Sequence, residues 1–124
     1  MNLLDTSIWI DHLRSVQPAV ARLLEEGQVL GHPWVAGELA LGSLSRRLEI
    51  LSLMHNLPLA IAASAVEVSA LIEDRRLYAC GIGYVDAQLL ASTMITPDAR
   101  LWTRDQPLAA AAAELGCAAH PVRN

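Results

Sequence analysis

Four acidic residues are distinguished by their settings: Asp5, Glu38, Asp86 and Asp105. Asp5 directly follows the apolar run Asn2-Leu3-Leu4, and ligands of open parallel sheets gather outside the carboxyl ends of strands. Asp105 repeats the arrangement, standing between Arg100-Leu101-Trp102-Thr103 and a helix opened by Pro107. Each also reads as a helix N-cap, and a cap does not preclude a second contact, because a carboxylate carries two oxygens. Asp86 shares a helical stripe with Ile82, Leu89, Leu90 and Thr93, and Glu38 shares one with Val35, Leu39 and Gly42. An acid on an apolar stripe costs on the order of a few kcal/mol unless something compensates it. A buried arginine would serve for Asp86, and plain solvation at the stripe edge for Glu38. Taken singly, none of the four is specific. Together they assemble mutually repelling carboxylates in one small domain, and a hard divalent cation with oxygen ligands, Mg2+ or Mn2+, is the natural reason to do so.

Competing chemistry finds little support. Cys80 and Cys117 lie far apart and share no ligand spacing with His12, His32, His55 and His120, so two small packed thiols are expected rather than a zinc site or redox pair. Asp11, Asp74, Asp98, Glu25, Glu26, Glu49, Glu73 and Glu114 read as solvated. Trp9, Trp34 and Trp102 sit within apolar patterns and are expected in the core rather than as stacking platforms.

The elements that must position the acids alternate. A strand over residues 2–5 leads to a helix capped by Thr6 and Ser7 and running to Leu13. A helix from Pro18 to Glu26, stopped by Gly27, precedes a strand over Val29-Leu30-Gly31-His32. Helices are expected from Pro33 to Gly42, from Ser45 to Met54, from the Ser64-Ala65-Val66-Glu67 capping box to Tyr78, and from Tyr84 to Met94. A strand over residues 100–103, a helix from Pro107 to Leu115 and a short strand from Cys117 to His120 complete the pattern. Short strands separated by helices predict an α/β fold in three layers, with a central parallel sheet of about four to five strands.

At 124 residues, with 53% apolar composition, the chain fits one domain spanning 1–124 that folds without disulfide or metal staples. No stretch reads as membrane-spanning, and MNLLDTS lacks the basic start of a secretory signal, so a cytoplasmic location is expected. A net charge of −4 argues at first against a nucleic-acid partner, but a sum says little about one cleft. Every basic residue is arginine, and Arg46, Arg47, Arg75, Arg76, Arg100 and Arg104 remain available to phosphates.

With the acids in this order, the chain resembles the PIN-domain nucleases, and specifically the VapC-type toxins of bacterial toxin–antitoxin pairs. The resemblance rests on LLDTSIWIDHL, PWVAGELALGSL, GIGYVDAQLLAST and ARLWTRDQPLAAAAAELG, and spans nearly the whole chain. The segment from Ser45 to Ser64 carries no motif of the family. The resemblance implies an endoribonuclease assisted by Mg2+ or Mn2+, with Asp5, Glu38, Asp86 and Asp105 at the metal-binding positions. Thr6, Ser7 and Thr103 fall at supporting hydroxyl positions. It further implies a small VapB-like antitoxin as partner, RNA as substrate and pairing as a homodimer.

Phosphodiester hydrolysis on such a site needs an activated water and a stabilised leaving oxygen. Asp5 is expected as the central ligand, Asp86 and Asp105 as further ligands, and Glu38 as ligand or base acting through water. Arg104 is a candidate for the scissile phosphate. Whether one cation or two takes part stays open. Receiver domains use a lysine that this chain lacks, and the phosphatase pattern needs an acid where Ser7 stands. The remaining alternative is a catalytically inert PIN-like interaction module.

Overall fold

The computed structural model describes residues 1–119. Three short parallel strands, β1 (Asn2–Leu4), β2 (Val29–Leu30) and β3 (Arg100–Trp102), form a sheet in the order β2-β1-β3. The first strand of the chain is therefore central, and its side chains Leu3 and Leu4 are fully buried. Around the sheet lie α1 (Thr6–Arg14), α2 (Pro18–Glu25), α3 (Pro33–Leu41), α4 (Arg47–Asn56), α5 (Ala65–Asp74), α6 (Tyr84–Ile95) and α7 (Gln106–Glu114).

The expected sheet of four to five strands is corrected to three. Two flanking segments touch it through single bridges, Gly31 with Leu59 and Leu101 with Ala118, without becoming strands. On the Leu59 side the reason is covalent: Pro58 offers its carbonyl to the Gly31 N–H but has no N–H of its own with which to extend a ladder. A Cβ on Gly31 would come within 3.1 Å of the Met54 carbonyl and 3.2 Å of the Leu59 side chain, so a larger residue at this crossing would push its neighbours back by a few tenths of an ångström. The expected strand from Cys117 to His120 reduces to the bridge at Ala118, and His120 lies outside the described residues.

Helix ends follow local chemistry. Gly27 and Gly116 take positive φ after α2 and α7, and in each case two N–H groups return to the last carbonyls in a Schellman arrangement. The same arrangement ends α5 at Asp74 rather than near Tyr78, with Arg76 in the left-handed position (φ 53°) that glycine usually fills. The Ser64–Glu67 capping box forms with both bonds present. The helix expected from Ser45 begins at Arg47 and runs to Asn56.

The core is continuous beneath these elements. Leu3, Leu4, Ile8, Trp9, Leu89, Leu90, Leu101 and Leu108 are all at most 2% exposed, so β1, α1, α6, β3 and α7 share one apolar interior. That interior holds the strand ends and helix starts that carry Asp5, Asp86 and Asp105 in a fixed relation.

Candidate metal-dependent nuclease site

Asp5 leaves β1 at its carboxyl end and is 5% exposed. Its Oδ1 accepts from the Ser7 hydroxyl (2.5 Å) and from the Ile8 N–H (3.2 Å), which makes it the N-cap of α1. Its Oδ2 accepts from the Thr103 hydroxyl. Thr103 in turn accepts from the Asp105 N–H (3.0 Å), and Ser7 accepts from the Arg104 N–H (3.1 Å). The start of α1 and the segment after β3 are thus laced together through two hydroxyls.

Asp105 is exposed and caps α7, its Oδ2 accepting from the Leu108 N–H (3.0 Å). Glu38 is exposed on α3, one step off the stripe of Val35 and Leu39 that enters the core, and its Oε1 accepts from the Thr6 hydroxyl (2.5 Å). Asp86, half-buried in the first turn of α6, accepts from the Gly83 N–H (3.1 Å). Burial raises the Asp86 carboxyl above its ordinary value. The Gly83 hydrogen bond opposes this, while the negative charges of Asp105, Asp5 and Glu38 add to it. Asp105, Asp5 and Glu38 are therefore near enough to Asp86 for their charges to act on it.

Among the described residues no three ionisable side chains close into a tight ligand set. Each acid is engaged by a hydroxyl or N–H instead. The donors are hard oxygens, the acids repel one another, and no thiol or imidazole stands among these contacts. Hard oxygen donors are the type that Mg2+ or Mn2+ takes, and Asp5, Asp86, Asp105 and Glu38 are the carboxylates that would have to draw closer together to hold one.

Chain 32–38 is locked against α6 by a buried polar network. His32 is 1% exposed, and its Nδ1 accepts from the Trp34 N–H (3.0 Å). The other ring nitrogen, Nε2, therefore carries the proton and donates to the Ser92 hydroxyl (2.9 Å). Ser92 donates to Gln88 Oε1 (2.7 Å), and Gln88 Nε2 donates to the Ala63 carbonyl (2.9 Å). Burial lowers the His32 pKa, which keeps the ring neutral. His32 shows no ligand spacing in the sequence, and its role as a cap and tie depends on Ser92, sixty residues away.

Two expectations are corrected here. Asp11 is not simply solvated, since its carboxylate pairs with Arg104, which also reaches Gln17 at 3.5 Å. Trp9 is fully buried and Trp102 packs against the core, but Trp34 is 37% exposed and meets Tyr84. A separate apolar pocket of about 280 Å³ includes Pro33, Ala36, Leu51 and Leu59 in its lining, and none of the four acids borders it.

Two curated proteins match over almost the full chain. Both are named Ribonuclease VapC32, from Mycobacterium tuberculosis strains CDC 1551 / Oshkosh and ATCC 25618 / H37Rv, and each is 46% identical over 118 residues, covering 95% of both sequences. The chain belongs to the VapC ribonuclease family. No family model matches it. No helix among the described residues is long and apolar enough to cross a membrane.

Proposed function

We propose that this chain is a metal-dependent endoribonuclease and the toxin of a type II, VapBC-like toxin–antitoxin pair, restrained by a small VapB-like antitoxin. The observation that carries the reading is the 46% identity, over 95% of both chains, to a ribonuclease of the VapC family. The electrostatics of the site support it. Four carboxylates facing one region repel an RNA phosphate, and a divalent cation between them turns repulsion into attraction.

Asp5, Asp86 and Asp105 would hold Mg2+ or Mn2+, with Glu38 as a further ligand or as base. The bound cation supplies Lewis acidity toward the phosphodiester and lowers the pKa of the attacking water. The protein's own groups do the rest. Ser7 and Thr103 fix both oxygens of Asp5. The Thr6 hydroxyl holds Glu38 Oε1, which leaves Oε2 to serve as the ligand atom or, if Glu38 is the base, to take a proton from water. Arg104 reaches a substrate phosphate by leaving Asp11. That exchange is cheap, because an exposed ion pair of this kind is worth about 0–1 kcal/mol. Homodimer formation belongs to the same proposal and is supported by exposed apolar side chains such as Leu41, Leu48 and Val66.

The direct cellular test is induction of the chain alone in a bacterial host. Growth should stop with the appearance of new RNA 5′ ends, and Asp5→Asn should do neither. Unchanged growth and intact RNA under wild-type induction would favour the inert interaction module.

A further inference from the structure

Aromatic residues are scarce in this chain: three Trp, two Tyr and no Phe. Two of them nevertheless meet at the surface. Trp34 and Tyr84 have ring centroids 5.8 Å apart and an interplanar angle of 43°, and they keep 37% and 51% of their exposure. Packing them inward would have gained burial, so their position at the surface calls for a partner.

Their placement on the helices is specific. Trp34 lies in the first turn of α3, four residues before Glu38 and on the same helical face, where such neighbours stand about 5–6 Å apart at Cβ. Tyr84 opens α6 two residues before Asp86. The aromatic contact thus joins the first turn of α3, four residues before Glu38, to the first residue of α6, the helix whose first turn also carries Asp86. At 43° the rings are tilted rather than stacked face to face, and both side chains keep surface open to solvent. The Trp34 N–H is bonded to His32 and the His32 ring to Ser92 of α6, which fixes the start of α3 against its partner helix.

We propose that Trp34 and Tyr84 form a base-stacking subsite that holds an unpaired nucleobase of the RNA next to the scissile phosphate. The proposal rests on the ribonuclease reading above and adds to it the two side chains that hold a base beside the cut. Stacking on an aromatic is tolerant of base identity but requires a base that is free of its helix. A protein partner would also cover aromatic side chains. The position between two acid-bearing helices favours the substrate itself.

The test measures binding of a short, labelled, single-stranded RNA of mixed sequence in Mn2+, in an Asp5→Asn background so that the strand survives. A matched strand with abasic sites throughout keeps the phosphates and removes the bases. The Asp5→Asn protein should prefer the base-bearing strand roughly tenfold. Adding Trp34→Ala or Tyr84→Ala should erase that preference while leaving abasic-strand binding unchanged, and Trp34→Phe should keep most of it. Equal binding of the two strands by folded Asp5→Asn protein overturns the subsite, as does an undiminished preference in both alanine variants. If an alanine variant does not fold, the abasic comparison and Trp34→Phe still decide. Cleavage of the same RNA by protein with Asp5 intact reports separately on the ribonuclease reading. Cleavage without base preference sinks only the subsite, whereas absence of cleavage sinks both.

Discussion

Both oxygens of Asp5 are held by hydroxyls, Ser7 on one and Thr103 on the other, and Thr103 also accepts the Asp105 N–H. Such partners fix the orientation of a ligand and are the usual supports of a metal site. Asp86 differs, because burial and three neighbouring acids raise its pKa above the ordinary 3.8. The sign of the consequence follows from linkage. The folded state binds more protons than the unfolded chain between 3.8 and the raised value, so stability falls as pH rises through that window. With metal chelated, Asp86→Asn should therefore resist denaturant better than wild type at pH 7, and the advantage should vanish below pH 3.8. A chelated Asp86→Asn protein less stable than wild type at pH 7 would refute this account of the crowded acids. The positions of Asp5 and Asp105 are legible in the sequence because a strand end followed by a helix start leaves a carboxylate few places to go. For Glu38 the sequence indicates the right helix but the wrong face, and its link to Thr6 lies thirty-two residues away, beyond any local pattern.

At the scale of elements, punctuation is legible wherever it uses its usual residue. Gly27, Gly116 and the Ser64 capping box end or begin helices as expected. The end of α5 is not legible, because Arg76 occupies the left-handed position and no glycine marks it. Nor is the tie between α3 and α6. Gln88, Ser92 and His32 read as isolated polar residues in apolar runs, yet the fold buries them as one network that closes on the Ala63 backbone. The network is costly to interrupt, since a buried group left without its partner forfeits about 1–3 kcal/mol. Gln88→Leu is near in volume and removes both bonds to Ala63. Chemical denaturation should show a loss of about that size, and an unchanged midpoint would mean that water or a shifted side chain replaces the glutamine.

For the whole molecule, the α/β alternation and the parallel sheet follow from short apolar strands separated by helices. The strand count does not, because single bridges at Leu59 and Ala118 look in sequence like any other short apolar segment. The net charge of −4 is likewise a poor guide to nucleic-acid binding. Asp5, Glu38 and Asp105 lie close enough to Asp86 to act on it, and a cation bound among these acids would reverse their effect on phosphate, with Arg104 beside Asp105. Identity of 46% to a VapC ribonuclease places the chain in that family.

The central claim is that these carboxylates work through a divalent cation on RNA, and titrating Mn2+ into chelator-stripped protein tests it most directly, with cleavage of labelled RNA as the readout. Wild type should be silent without metal and reach a saturable rate as Mn2+ is added, while Asp5→Asn stays roughly 100-fold slower or worse at every concentration. Undiminished cleavage in excess chelator, or an Asp5→Asn protein that cuts as fast as wild type, would contradict the account.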